Sequence, residues 1–253
     1  MTLRTLEHTE ELQLEAAHNP LPLWHESFWP IDWLALHMSP VYYGAGVRRG
    51  DGSPVVVVPG FLSPDSHLYE LYGWLGRIGY RPYMSGIGLN TNCPSASAKK
   101  LAKTVERAYV ETGQRVHIVG HSLGGMIGRR VSLQRPHHVS QLIYLGTPIQ
   151  GVHTHPAVVA AATMLAKARG MMSGDQCLTS GCACDFLEDA RRPMPENVRH
   201  AAIYTRADGV VDWHDSREKD PRRNHEVGGT HIGLVHNPRA YKALGEILAD
   251  RRA

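Results

Sequence analysis

Apolar and polar positions form blocks along the chain, and each block has the length and spacing of one secondary-structure element. Residues 54–58 (PVVVV) are a continuous β-branched run, typical of a strand buried on both faces of a parallel sheet. Residues 116–119 (VHIV) and 141–145 (QLIYL) are predicted to be further strands. Residues 96–112 carry apolar side chains at helical spacing, and Gly113 follows where a C-terminal cap belongs. Strands that alternate with helices predict a mainly parallel, doubly wound α/β sheet with helices on both faces.

The same reading predicts the remaining elements of this sheet. Residues 80–87 and 198–205 are expected to be strands. A helix is expected from residue 122 to about residue 135, where a proline follows and disfavours helical geometry. Asn237 and Pro238 are a good N-cap and first-turn pair for a final helix that reaches about residue 251.

The chain divides into three regions by pattern. Residues 1–45 are expected to form an N-terminal arm packed on the core, with an amphipathic helix at 2–17 followed by an aromatic stretch. Residues 46–152 and 197–253 form the predicted α/β core. Residues 153–196 break the strand–helix rhythm with an Ala- and Met-rich helix, clustered cysteines and prolines, and are predicted to be a cap or lid insertion.

Composition excludes several classes of protein. The 253 residues are 42% hydrophobic, which allows a sizeable core and argues against wholesale disorder. The formal charge of +3 is spread along the chain without a basic block, so we expect no nucleic-acid partner. Charged residues interrupt the most apolar early stretch, 21–43, so no transmembrane segment is expected. The first residues show neither the basic start nor the unbroken apolar run of a secretory signal, so the expected location is cytoplasmic.

The most informative short motif is Gly120-His121-Ser122-Leu123-Gly124, between a predicted strand and a predicted helix. A serine hydroxyl becomes a nucleophile when a sharp turn exposes it and a base removes its proton. Such a turn requires small residues two positions before and after the serine, and both positions are glycine. Ser122 is therefore the predicted nucleophile.

A nucleophilic serine needs donors for the oxyanion, and a base held by an acid. The backbone N–H groups of Leu123 and of Phe61, in the loop after residues 54–58, are the candidate donors. Asp208 directly follows a predicted strand and is the favoured acid, and His231 lies in a small-residue loop before the last helix and is the favoured base. The rivals considered for these two roles are Asp212, His225 and His236.

Five motifs in this order resemble the lipase and esterase branch of the α/β-hydrolase superfamily. They are Val-Val-Pro-Gly-Phe (57–61), Gly-His-Ser-Leu-Gly-Gly (120–125), Leu-Gly-Thr-Pro (145–148), Asp-Gly-Val-Val-Asp-Trp (208–213) and Gly-Thr-His-Ile-Gly-Leu (229–234). The resemblance covers roughly residues 54–250. It implies an α/β-hydrolase fold and hydrolysis of carboxylic esters without a cofactor. It also implies that the segment after Thr147 and Pro148 forms a cap.

The predicted cap carries two further sets of candidate residues. Met164, Leu165, Met171 and Met172 are expected either to line an acyl pocket or only to pack the cap onto the core. Cys177, Cys182 and Cys184 lie in the cap and Cys93 after a predicted strand. Their spacing is not a standard zinc pattern, so no metal site is predicted, and a local disulfide or free packed thiols remain open.

The predicted function is a serine esterase or lipase that forms an acyl-enzyme on Ser122, with a small-molecule or lipid ester as substrate. A thioesterase, an acyltransferase or a polyester depolymerase would use the same Ser122, Asp208 and His231. A binding protein that keeps the fold without activity is the alternative of a different class. The intact set of serine, acid and histidine argues against it.

Overall fold

A computed structural model of the chain describes residues 21–173, residue 186 and residues 188–250, without the side chains of residues 169–173 and 190. Its centre is a parallel sheet of six strands, in the order β2-β1-β3-β4-β5-β6. The strands are β1 (Pro54–Val58), β2 (Arg81–Met84), β3 (Val116–His121), β4 (Val139–Leu145), β5 (Arg199–Thr205) and β6 (Asn224–Val227).

Helices cover both faces of the sheet. They are α1 (Trp29–Met38), α2 (Tyr69–Arg77), α3 (Pro94–Thr112), α4 (Leu123–Gln134), α5 (Pro156–Ser173), α6 (Glu188–Arg191) and α7 (Pro238–Ala249). Apolar residues of α2 and α7 form one core cluster with Val55 and Val57. Residues of α3 and α4 form a second cluster with Val56 and Val58. Because successive side chains of a strand point to opposite faces, β1 needs apolar residues at every position. The predicted doubly wound sheet is confirmed.

The position of the site follows from the strand order. β1 lies between β2 and β3, so the chain leaves β1 in one direction and returns on the other side of it. At such a reversal the connections that follow two adjacent strands run to opposite faces of the sheet. A crevice opens between these connections at the carboxyl ends of the strands. The loop after β1 and the turn after β3 are therefore next to each other at this crevice.

Several predicted elements have their expected bounds. The first strand matches the prediction. α3 begins two residues earlier than predicted and ends as predicted, before Gly113, which is in the left-handed region with a φ of +65°. The Asn237 side chain accepts hydrogen bonds from the N–H groups of Arg239 and Ala240, which is the predicted N-cap. β2 is shorter than predicted because Gly86 and Gly88, both at positive φ, follow it.

The N-terminal segment packs on the face that carries α7. A 3₁₀-helical turn (Leu23–Phe28) leads into α1, and a second turn (Pro40–Tyr43) follows. Leu36 is fully buried in the cluster with α7, and the Trp74 indole N–H donates to the Val41 carbonyl at 2.8 Å. The helix predicted at 2–17 lies outside the described residues. Within the part of the chain that the structure describes, no helix is long and apolar enough to cross a bilayer.

Candidate active site

Ser122 occupies a strained turn between β3 and α4. Its φ of +51° and ψ of −126° are values that residues other than glycine rarely adopt. A Cβ atom at Gly120 would lie 2.5 Å from the Cα of Gly125, and one at Gly124 would lie 2.6 Å from the Pro59 carbonyl oxygen. Only glycine at these two positions therefore lets α4 pack this closely against β3 and against the end of β1, as the sequence pattern predicted.

The end of β4 holds this turn in place. The Ser122 N–H donates to the Leu145 carbonyl at 2.8 Å, and the buried Thr147 hydroxyl donates to the Ser122 carbonyl at 3.0 Å. These two bonds tie the strained residue to the neighbouring strand from both sides. Thr147 belongs to the Leu-Gly-Thr-Pro motif, and the structure gives this motif a local role.

Asp208 and His231 form a buried pair. His231 Nδ1 donates to Asp208 Oδ2 at 2.6 Å, and the side chains are only 4% and 1% exposed. The other carboxylate oxygen of Asp208 accepts the N–H groups of Val210 and Val211 at 2.9 and 2.7 Å. The carboxylate therefore holds the imidazole through Nδ1, and Nε2 takes no part in this hydrogen bond. A histidine that acts as a general base requires this arrangement.

The rival residues lie elsewhere. Asp212 accepts from its own neighbour His214, with 2.8 Å between Oδ1 and Nδ1. His225 lies on β6, and the His236 ring packs against Trp29 and His67. Of the weighed candidates, the structure therefore pairs Asp208 with His231.

The surroundings of His231 favour its protonated form. Burial alone lowers the pKa of His231, but the charge of Asp208, its hydrogen bond and the charge of Glu26 together raise this pKa above its ordinary value. An imidazolium that forms during a reaction would be stabilised by the same two carboxylates.

His121 links the serine turn to the histidine loop. Its Nε2–H donates to the His231 carbonyl at 3.0 Å, and the two ring centroids are 4.8 Å apart. Burial, followed by the nearby His231 and His67, holds the pKa of His121 well below its ordinary value. His121 is therefore neutral and serves as a hydrogen-bond donor between the two loops. Sequence reasoning gave it no role.

Two backbone N–H groups are available next to Ser122. Those of Phe61 and Leu123 have no acceptor among the described residues, and both residues line the same cavity as Ser122. The loop that carries Phe61 is held by the buried Asn90, which donates to the Pro59 carbonyl at 2.9 Å and accepts from the Leu62 N–H at 3.0 Å. Of the two predicted oxyanion donors, Phe61 thus lies on a loop held by hydrogen bonds, and Leu123 is the first residue of α4.

A cavity of about 650 Å³ opens beside Ser122 and His231. Its walls are mainly apolar and come from the N-terminal segment, the loop after β1, α4, α5 and the loop after β5. The main apolar lining residues are Leu23, Trp29, Leu62, Met126, Val152, Val158, Ala162, Val210, Val211 and Ile232. This volume is in the range that holds small organic ligands.

The structure corrects the predicted pocket residues of α5. Met164 is 73% exposed, and neither Met164 nor Leu165 lines the cavity. The face of α5 toward the cavity carries Val158 and Ala162 instead, which are four residues apart and so lie on one side of a helix. The side chains of Met171 and Met172 lie outside the described residues.

Other sequence features stay outside the site. Cys93 is a free, half-buried thiol just before α3, and Cys177, Cys182 and Cys184 fall outside the described residues. Among the side chains that the structure describes, no group of three or more His, Cys, Asp or Glu could hold a metal ion.

Sequence reasoning also missed Glu26, which lines the cavity from the N-terminal segment. Its carboxylate contacts the backbone of the loops that carry Asp208 and His231. The available signal was a carboxylate within an aromatic stretch, because such a group must either reach solvent or find buried donors.

Comparisons with known proteins agree with this architecture. A family model described as the alpha/beta hydrolase fold matches residues 104–171. A triacylglycerol lipase from Burkholderia plantarii is 25% identical over 127 residues, which are 47% of this chain. The match spans only about 36% of the length of that lipase.

Solved structures of lipases resemble the chain over most of its length. The mature form of the Bacillus licheniformis lipase BlEst2 matches with a TM-score of 0.57 and 18% identity, and the match covers 81% of this chain and 96% of the lipase. The Aspergillus fumigatus lipase B matches with a TM-score of 0.57 and 18% identity, over 82% of this chain and 54% of the lipase. At this level of identity, the structural matches establish the fold.

Proposed function

We propose that this chain, which has the α/β-hydrolase fold, belongs to the lipase and esterase branch and cleaves carboxylic esters through an acyl-enzyme on Ser122. The observation that carries this proposal is the combination of two features at one cavity. Ser122 lies there in a strained strand–helix turn, and His231 bonds Asp208 at 2.6 Å. A serine hydrolase requires a nucleophile, a base and an orienting acid around one binding site.

The proposed reaction has two halves. His231 accepts the proton of the Ser122 hydroxyl as the oxygen attacks the ester carbonyl. The Phe61 and Leu123 N–H groups donate to the oxyanion, and the N-terminus of α4 adds positive partial charge beneath it. His231 then protonates the departing alcohol, and an acyl group remains on Ser122. Water, deprotonated by His231, releases the acyl group as a carboxylic acid and restores the serine.

The cavity supports an apolar acyl chain as the group recognised. Its walls are formed mainly by aliphatic side chains, and His67 and His121 are the further histidines beside Ser122. Burial lowers the pKa of both, so both are neutral near pH 7. The apolar walls stabilise a hydrocarbon chain by removing it from water. The carboxylate that lines the cavity, Glu26, accepts hydrogen bonds from backbone N–H groups of the protein itself.

Covalent labelling tests the proposed function directly. A fluorophosphonate should add once per chain, and peptide mass spectrometry should place the adduct on Ser122. Excess neutral ester should slow the labelling, because both reagents compete for the same serine. An unlabelled folded protein, or an adduct on another residue, would show that the proposal is wrong.

The wall of α5 should determine the preferred chain length. Ala162 is buried and lines the cavity, so Ala162→Phe places a ring in the space for the acyl chain. We expect the kcat/KM ratio of p-nitrophenyl octanoate to p-nitrophenyl acetate to fall about tenfold, since a few methylene contacts are lost.

Met164→Phe is the matched control for this experiment. It adds an aromatic ring to the same helix, at a side chain that is 73% exposed. Its octanoate-to-acetate ratio should equal that of the wild type. A ratio that changes equally in both variants would contradict the assigned wall.

A further inference from the structure

Glu26 is a buried carboxylate in an otherwise exposed segment. It is 3% exposed, whereas the apolar side chains around it, Leu23, Trp24 and Phe28, are 37–65% exposed. Removing a carboxylate from water is costly unless several donors replace the lost hydration. The burial of this one acidic residue therefore calls for an explanation from its contacts.

Three backbone N–H groups supply those contacts. Glu26 Oε1 accepts from Gly209 at 2.8 Å and from His231 at 3.2 Å, and Oε2 accepts from Ile232 at 2.8 Å. Gly209 directly follows Asp208, so one carboxylate bonds the backbone on both sides of the Asp208–His231 pair. Hydrogen bonds to a charged acceptor are stronger than those between neutral groups.

Gly209 has a part in this arrangement. A Cβ atom at this position would lie 3.0 Å from Glu26 Oε1, which is tighter than ordinary contact. The glycine after Asp208 thus permits the close approach of the carboxylate.

We infer that Glu26 is a positioning residue of the proposed hydrolase. Its carboxylate holds the loop that carries Asp208 against the loop that carries His231. The inference rests on the proposed function, because the pair that it locks is the proposed acid and base. Glu26 acts through hydrogen bonds from backbone N–H groups, and its negative charge also favours the protonated form of the His231 ring.

The charged and titratable groups near His231 come from several elements. Asp208 follows β5, His121 ends β3, and Glu26 lies in the turn before α1, with His67 and His236 further out beside His121. Glu26 is thus the second negative charge that raises the pKa of His231, after Asp208. A general base must be neutral to act, so activity should rise as pH increases through this pKa.

Asp32 provides a matched control on the same segment. It also accepts from the histidine loop, through the Thr230 N–H at 3.2 Å, and it accepts from the Asn237 side chain at 2.8 Å. Among the described residues, Asp32 makes no hydrogen bond to the Asp208 loop or to His231 itself. Removing the Asp32 carboxylate therefore tests whether weaker support of the His231 loop is enough to cause a loss of activity, without a direct change at the Asp208–His231 pair.

The experiment compares Glu26→Gln, Glu26→Asp and Asp32→Asn with the wild type in the full chain. In Glu26→Gln an amide N–H₂ faces a backbone N–H, and the negative charge is lost. We expect kcat on a p-nitrophenyl ester to fall about tenfold with KM within about twofold, because the pair is displaced while the cavity is intact. The acid limb of the kcat/KM profile should move to lower pH, as should the pKa of the His231 imidazole measured by NMR.

The other two variants separate position from charge. Glu26→Asp keeps the charge on a shorter side chain, so its acid limb should stay closer to that of the wild type while kcat remains lower. Asp32→Asn should lower Tm and leave the acid limb unchanged.

Two outcomes would overturn the inference. One is a Glu26→Gln variant with the kcat, acid limb and His231 pKa of the wild type. The other is a loss in Glu26→Gln that Asp32→Asn reproduces in every measurement. Wild-type protein without ester turnover or labelling would refute the proposed function instead, and the His231 titration would still show whether Glu26 acts on the histidine.

Discussion

Ser122→Ala is expected to lower kcat/KM for a p-nitrophenyl ester by about 10⁴- to 10⁶-fold, with the protein still folded. The substitution removes only the hydroxyl oxygen, and the hydrogen bonds that hold the turn use the backbone of Ser122. Steady-state kinetics and circular dichroism on the same preparations check the two parts of this prediction. The fluorophosphonate adduct should also be absent.

The partner histidine makes this prediction more specific. His231→Ala should cause a loss of similar size, and the double variant should be no slower than either single variant. When two residues act together in one step, removing either of them already abolishes that step. Removing the second residue then causes no further loss of rate. If the two losses multiplied, or if Ser122→Ala kept about a tenth of the activity, the two residues would not form one catalytic unit.

Gly124→Ala is expected to destabilise the protein by about 3 kcal/mol and to lower kcat by about 10²-fold. The new methyl group would meet the carbonyl oxygens of Val58 and Pro59, which are backbone atoms and cannot rotate away. Relief requires α4 to move from the end of β1, and this shift separates Ser122 and Leu123 from the loop of Phe61. Urea unfolding and ester kinetics measure the two effects.

Gly73→Ala is the control for the same chemical change. Gly73 is exposed on α2, and a Cβ atom there meets nothing within 4 Å. Alanine should stabilise the helix by about 0.5–1 kcal/mol and leave kcat unaltered. A Gly124→Ala protein with wild-type stability and activity would mean that the close packing of the turn against β1 is not required.

The fold could be predicted where one local pattern determined one element. The apolar run of β1 requires burial on both faces, and Gly113 and Asn237 mark the ends of α3 and α7 by their own backbone chemistry. The pattern of apolar positions did not predict α2, and it predicted a longer strand for β2 than the structure has. Gly86 and Gly88 end this strand, and their positive φ angles cannot be read from an apolar count.

The candidate site was predictable to a different extent for each residue. Ser122 was predicted as the nucleophile from the glycines around it, and Asp208 and His231 were predicted from chain order. The structure places Ser122 in a strained turn and brings this acid and this histidine together. Met164 was wrong as a pocket residue because composition indicates an apolar helix and does not tell which face of it meets the cavity. Val158 and Ala162 take that place.

The sequence by itself determined the features that depend on neighbouring residues: the strand–turn–helix around Ser122, the small residues it needs, and the order of the elements that carry the site. Only the tertiary structure decided which distant groups meet there. Glu26 and His231 are 205 positions apart, and no local pattern encodes their hydrogen bond. Backbone constraints act over a few residues and leave a mark in the local sequence. The cavity wall and the buried carboxylate behind His231 depend on how whole segments pack, which the folded chain alone determines.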